Sequence, residues 1–304
     1  MPEVTIITAP KPFTNTHIAT IQRNAIQSWK CLGPEVEVIV MGEEVGLAEA
    51  AAQLGVKHLP NAARNANGTP LINSMLHLAH EASSSPLLAI VNADIILMPD
   101  FVSSARAVAR QTSQFLAVGQ RWDLEVRERL DFSPGWPDRL RVRTAREGKL
   151  HRASGSDYFI FPRDCFMDMP AFAIGRAGWD NWMIYAGRTH GWPVIDASQD
   201  IQIIHQNHNY AHLPGGQPHY RLPETFENIR LAGGKRAIFE LPDTSHRLIG
   251  GQLHRQPLGW KKFWREVEIF PLVRLHSYTM GQWMFTIFHP RKAYQEYRQA
   301  AKGQ

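Results

Sequence analysis

The chain has 304 residues, 44% hydrophobic and 20% charged, ordinary proportions for a globular protein long enough that core size is not limiting. No run of the sequence approaches the roughly 18 uninterrupted apolar residues of a membrane span. The formal net charge is +5, but from His246 onward ten Lys and Arg face three Glu; the first 245 residues are slightly acidic, which excludes a general nucleic-acid charge signature.

Val4-Thr-Ile-Ile-Thr8 is a β-rich run closed by Pro10 and Pro12. Nothing before it has a basic or long apolar character, so no secretory signal is expected. Asn15 or Thr16 caps a helix with Ile18, Ile21, Ala25 and Trp29 at helical spacing, stopped by Gly33-Pro34. Val36-Glu-Val-Ile-Val40 is the next strand, 45–54 an Ala-rich helix and 56–59 a short strand. Pro70 suits a first helical residue, with Leu71, Ile72, Met75, Leu76 and Ala79 as the apolar face. A buried strand over 87–91, a helix over 100–112 and a strand over 115–119 follow. Residues 122–152 are charged, contain Pro134 and Pro137 and lack periodicity, so they read as a surface insertion. Order returns near Asp157, and 210–234 reads as loop with one short helix. Strands alternating with helices imply an α/β fold, a mostly parallel sheet flanked by helices. The sheet domain is expected over 1–234 and a basic, aromatic-rich helical extension over 235–304. Cys31 and Cys165 show no ligand or disulfide spacing, which suits a reducing compartment.

In Pro86-Leu-Leu-Ala-Ile-Val-Asn-Ala-Asp-Ile-Ile-Leu97 a carboxylate interrupts an apolar run. Ionised Asp is almost never fully buried without a partner. On an extended chain Asn92 and Asp94 point to one side. The functional reading is a cation or phosphate-bearing ligand at the carboxyl end of a parallel strand; the structural one is a strand-end turn. Arg176-Ala-Gly-Trp-Asp-Asn-Trp182 places Asp180 where a helix begins, either as a helix cap or as a base. Ile201-Gln-Ile-Ile204 is a strand with polar residues at its end, and His205, His208 and His212 follow at H-x₂-H-x₃-H spacing, either a metal-ligating group or a surface loop rich in His and Asn. No Walker lysine motif and no GxGxxG is present.

The element order, with Asn92-Ala-Asp94, Gly155-Ser-Asp157 and Gly178-Trp-Asp180-Asn181, resembles GT-A-fold glycosyltransferases, family 2-like transferases that use nucleotide sugars, over roughly residues 4–210. The resemblance implies a GT-A-like (Rossmann-like) fold, a nucleoside-diphosphate-sugar donor and Mn²⁺ or Mg²⁺. It implies that Asp94 holds the metal beside the diphosphate, with Asn92 standing where the family's motif begins with a carboxylate. It implies His205 as a further metal ligand, with His208 the second choice, and Asp180 as the acceptor's base. Asp157, Trp179 and Trp182 are implied to meet the acceptor or the sugar. Thr8, Ala9, Pro10, Glu43 and Arg64, with Asn65, are implied to meet the nucleotide.

Residues 257–302 interleave Trp260, Phe263, Trp264, Trp283 and other aromatics with Lys and Arg. Basic aromatic helices lie at anionic membrane surfaces; a helical extension packed on the sheet domain is the plainer reading. The expected partners are a nucleotide sugar and a saccharide or lipid-linked acceptor, with no nucleic acid; the expected place is the cytoplasm, either free or peripheral at the inner face of the membrane through the basic tail, in work on cell-surface polysaccharide. Two rival functions are a metal-dependent hydrolase built on His205, His208, His212 and Asp180, and a non-catalytic nucleotide-sugar-binding protein.

Overall fold

A computed structural model describes residues 2–154, 156–208 and 222–302. The chain runs β1 (Val4–Thr8), α1 (Thr16–Lys30), β2 (Val36–Met41), α2 (Leu47–Leu54), β3 (Lys57–Leu59), α3 (Ile72–Ala82), β4 (Leu87–Val91), β5 (Ile95–Leu97), α4 (Asp100–Ala109), β6 (Leu116–Val118), β7 (Arg121–Leu124), α5 (Trp136–Glu147), β8 (Lys149–Leu150) and β9 (Tyr158–Pro162). It continues through α6 (Trp179–Thr189), β10 (Val194–Asp196), β11 (Ile203–Gln206), α7 (Pro223–Leu231), β12 (His246–Ile249), β13 (Gln252–Arg255), α8 (Trp260–Val273), α9 (Tyr278–Phe288) and α10 (Pro290–Lys302).

The architecture is α/β. A nine-stranded sheet has the order β13-β12-β10-β6-β9-β4-β1-β2-β3 and a four-stranded sheet the order β5-β11-β7-β8. The large sheet is mostly parallel; β9 runs antiparallel between β4 and β6, and β13 antiparallel at the edge. β1 and β4 are buried along their whole length, as strands covered on both faces must be. Side chains alternate between faces: Ile7 and Ile39 pack with α3, α6 and α8, while Ile6, Val38 and Val40 pack with α1, α2 and α4. In α1 the Asn15 side chain accepts the Ile18 N–H at 3.0 Å, a side-chain N-cap.

Three expectations need correction. Pro70 is not the first helical residue: it bridges Arg64, Leu71 bridges Ala173, and the helix starts at Ile72. Residues 122–152 are not a featureless insertion. They supply β7, α5 and β8, and Trp136, Leu140, Leu124 and Val126 close a small core over β5 and β11. The helical extension does not begin at 235, because β12 pairs with β10 in the large sheet. The turn between β12 and β13 is Gly250-Gly251, both at positive φ (56° and 75°), the geometry that two-residue hairpins favour and glycine supplies. The helices of the extension begin at Trp260.

The α1 residue Trp29 is fully buried and its indole N–H donates to the Ile95 carbonyl at 2.9 Å. Trp29→Ala is expected to cost about 3–5 kcal/mol, read by urea denaturation. Trp29→Phe keeps most of the volume, and removal of the hydrogen bond alone is expected to cost about 1 kcal/mol. Equal stability of both variants and the wild type would deny Trp29 this role.

Candidate active site

β1, β2 and β4 run parallel and end side by side at Thr8, Met41 and Val91. Ligands of open α/β sheets sit outside this carboxyl edge. Asn92 and Asp94 leave β4 here, but not as an extended strand. The Ile95 N–H donates to the Asn92 carbonyl at 3.1 Å and closes a turn, which corrects the expectation that both side chains share one face. Asn92 Nδ2 donates to Asp157 Oδ1 at 2.8 Å, and its backbone N–H to the Asp157 carbonyl at 3.0 Å. Asp94 meets different partners.

Asp94 Oδ2 lies 2.9 Å from His208 Nε2 and 3.9 Å from Lys11 Nζ, and Lys11 Nζ lies 3.3 Å from His208 Nε2. Asp94, His205 and His208 each bring one ligand-type atom within 4.8 Å of the others. His205 arrives by strand register, with Ile95 of β5 on one side and Asp123 of β7 on the other. Its Nδ1 lies 3.2 Å from Asp123 Oδ1, whose second oxygen lies 2.7 Å from His151 Nδ1. Burial alone would raise the pKa of Asp94. The His208 hydrogen bond and the charges of His205 and Lys11 more than reverse this and hold it well below the usual carboxylate range. Asp123 is depressed in the same way: burial opposes, but the neighbouring His205, the hydrogen-bonded His151 and the nearby Arg121 prevail. Burial lowers the pKa of Lys11, partly offset by Asp94.

Among the described residues, Asp94 Oδ1 is buried with no hydrogen-bond donor. Such an orphaned anionic acceptor calls for a partner. Two imidazoles lie beside it, so the donor set of one carboxylate and two histidines fits a divalent cation. Mixed oxygen and nitrogen ligands suit Mn²⁺ better than Mg²⁺, which prefers oxygen. Asp94 and His205 are thus brought together, joined by His208. His212 lies outside the described residues.

Asp157 links this cluster to the second acidic motif. It precedes β9, whose antiparallel pairing sets Tyr158 opposite Val91. Arg121 Nη1 donates to its two carboxylate oxygens at 3.0 and 2.8 Å, and Arg121 Nε donates to Asp123 at 3.0 Å. Asp180 stands in the first turn of α6, not at its cap, which is Gly178. Gly178 takes φ 112°, outside the range comfortable for a side chain, and its N–H donates to Asp180 Oδ1 at 3.0 Å. Burial pushes the Asp180 pKa up to about 6; N–H groups of Asn181 and Gly178 pull it down, and the charge of Asp157 adds to the rise. A carboxylate with such a pKa is matched to proton abstraction near neutrality.

The remaining candidates are distributed as follows. Thr8 and Pro10 are buried and Ala9 partly so, at the end of β1. Glu43 is exposed beyond β2 and lines an open hollow of about 460 Å³ with Glu44, Gly46, His58 and Pro60. Arg64 lies 2.9 Å from Glu44, and Asn65 donates to Glu224 at 2.6 Å. Trp179 and Trp182, expected against a sugar, are 3% and 9% exposed. They pack on Phe159 and on Phe172 and Phe166; neither indole is free to stack on a ligand.

Sequence reasoning missed Lys11, Arg121, Asp123, His151 and Gln206. Gln22 of α1 clamps the Lys11 backbone, accepting its N–H at 2.6 Å and donating to its carbonyl at 2.9 Å. Gln206 is fully buried, donates to the Asp94 carbonyl at 3.1 Å and accepts from Asn24 at 3.0 Å. The alternation in Arg121-Trp-Asp123 was the available signal, since residues two apart on a strand share a side.

No protein-family profile and no curated protein matches the chain. Among solved structures, the chain is similar to the mannosyltransferase PcManGT from Pyrobaculum calidifontis in complex with GDP-Man and Mn²⁺, at 15% identity and TM-score 0.41 over 67% of this chain. It spans 56% of that protein's length. It is also similar to glucosyl-3-phosphoglycerate synthase of Mycobacterium tuberculosis, at 15% identity and TM-score 0.46 over 85% of this chain and 88% of that one. The same synthase in complex with Mg²⁺ and uridine diphosphate gives 15% identity and TM-score 0.46, over 84% of this chain and 88% of that one.

Proposed function

We propose that this chain is a glycosyltransferase that moves a sugar from a nucleoside-diphosphate donor to a saccharide or lipid-linked acceptor, at the cytoplasmic face of a membrane. One observation carries the reading. Asp94, His205 and His208 converge at the carboxyl edge of the sheet, and a carboxylate that feels the charge of Asp157, Asp180, has its pKa raised to about 6.

In this reading Asp94, His205 and His208 hold Mn²⁺, or less favourably Mg²⁺. The bound cation supplies countercharge to a departing diphosphate. Lys11, beside Asp94, adds a positive charge from the β1 loop. Asp123, itself held by His151, stands beside the His205 ring, an outer layer that metal-binding histidines commonly use. Asp180 accepts the proton of the acceptor hydroxyl. Thr8, Ala9, Pro10, Glu43 and Arg64 line the nucleotide side, and Asp157 keeps Asn92 and Arg121 at the sugar.

A thermal-shift screen of nucleoside-diphosphate sugars with and without Mn²⁺ tests this. Mass action at 100 times Kd stabilises by about 2.7 kcal/mol, which for a chain of this size raises Tm by roughly 5 °C. The cognate donor is expected to do so with Mn²⁺ and to do much less without it. No shift with any such sugar would remove the reading.

The same donor set favours a second reading, since two histidines and a carboxylate also build hydrolytic zinc centres. Metal analysis separates the two. Zinc retained through dialysis against a weak chelator supports the hydrolase, and exchangeable Mn²⁺ the transferase.

A further inference from the structure

Of the sixteen large apolar side chains exposed among the described residues, twelve lie between Leu258 and Tyr297. α9, Tyr-Thr-Met-Gly-Gln-Trp-Met-Phe-Thr-Ile-Phe, carries no charged residue and buries only Gly281. A helix this rich in aromatic and aliphatic side chains, with no charge, is ordinarily covered. Here Trp283 is 70% and Ile287 71% exposed. The start of α8 continues the surface. Trp260, 75% exposed, packs edge-on against Trp264, and Trp264 reaches Phe288 at 5.9 Å between ring centroids. Aromatic residues from two helices thus form one ledge.

The charges around the ledge are of one sign. The three acids of this region are engaged with basic side chains of the chain: Glu266 with Arg188 and Lys262, Glu268 with Arg265 and His289, and Glu296 with Arg236. Among the described residues, Lys261, Arg274, Arg291, Lys292 and Arg298 have no carboxylate within 4.0 Å, and all five are exposed. Lys261 lies three residues before Trp264, adjacent on the helix surface. Arg291 and Lys292 open the helix that follows Ile287 and Phe288.

We propose that the α8–α9 ledge lies in the interface of an anionic lipid bilayer, with Trp260, Trp283 and Ile287 in the outer acyl region and Lys261, Arg291 and Lys292 among the headgroups. No helix of the described residues is long and apolar enough to cross a membrane; α9, of 11 residues, spans only about 16 Å at helical rise. The docking is therefore peripheral, with apolar burial and electrostatic attraction acting together. An acidic protein partner would satisfy the cations but leave the exposed Trp260, Trp283 and Ile287 without an apolar medium, and a second copy would set like charges against each other. The proposal locates the membrane contact on a particular face and stands whether or not the transferase reading holds.

The test is flotation of the full-length protein with vesicles of phosphatidylcholine containing phosphatidylglycerol, against vesicles of phosphatidylcholine alone. The protein is expected to float with the anionic vesicles, to bind neutral ones much less, and to be released by high salt. A Trp260→Ser, Trp283→Ser, Ile287→Ser triple variant should lose binding while keeping its far-ultraviolet circular dichroism and Tm. Charge reversal at Lys261, Arg291 and Lys292 should weaken binding by about fivefold or more per site. Wild-type protein left in the unbound fraction with anionic vesicles would overturn the proposal. So would a dimer in light scattering that the triple variant converts to monomer, with vesicle binding unchanged.

Discussion

Asp94→Ala is expected to abolish sugar transfer while leaving the chain folded. Among the described residues Asp94 is the one carboxylate of the cluster it forms with His205 and His208, because Asn92 occupies the other motif position and is turned to Asp157. Removing it takes away the anion that gathers Lys11, His205 and His208, and so the site's hold on a cation. Loss of one preorganised electrostatic contact to a developing charge lowers kcat by about 10²–10³, and loss of the whole cation site should exceed that. The fold should survive, since β4 and β5 are anchored by strand pairing, by Gln206 at the Asp94 carbonyl and by Trp29 at the Ile95 carbonyl. The Lys11 ammonium left without its carboxylate should cost about 1–3 kcal/mol. Asp94→Asn, which keeps the volume, should be equally inactive and closer to wild-type stability. Calorimetric titration with Mn²⁺ and a turnover assay measure the two effects. Near-wild-type turnover in either variant would remove the site assignment.

The first half of the large sheet was legible because its strands are covered on both faces and so read as unbroken apolar runs, separated by helices with clear caps such as Asn15. Asp94 and His205 stood out as candidates because a polar residue inside or at the end of such a run needs a reason, and Asp180 because a carboxylate stands where a helix begins. The second sheet was not. β7 and β8 are short and partly exposed, and the charges of Arg121 and Asp123 look like solvated surface until β11 is seen to bring His205 beside them. The partnership of Arg121 with Asp157 joins positions 36 residues apart, and no local pattern encodes it. Trp179 and Trp182 misled for the converse reason. A Trp beside a candidate base reads as a sugar platform, but the sequence does not say which side of α6 faces Phe159 and Phe172. The β12–β13 hairpin was hidden by a weak apolar pattern, although its Gly250-Gly251 turn was in plain view.

Asp180→Asn is expected to separate catalysis from stability in opposite directions. A lost general base lowers kcat by about 10²–10⁴, while donor binding, which this reading places at Asp94, should be unchanged. The amide oxygen of Asn can still accept the Gly178 N–H that now reaches Asp180 Oδ1, so the first turn of α6 keeps its contact. Stability should rise. Burial lifts the Asp180 pKa from its ordinary 3.8 to about 6, so between these values the folded state holds a proton that the unfolded state releases. The stability this group contributes is therefore present below about pH 4 and lost as pH climbs through about 6. Above that, the partly buried carboxylate costs up to about 3 kcal/mol, at 1.36 kcal/mol per pKa unit. The Asn variant escapes that cost: its stability should match the wild type at pH 4 and exceed it by about 1–3 kcal/mol at pH 7.5, measured by denaturant titration at both values. For the wild type, kcat/KM should rise with pH through about 6 as Asp180 ionises. A residue that only capped the helix would show neither the loss of turnover nor this pH profile, so an active Asn variant would leave Asp180 a structural group and shift the search for a base to Asp157.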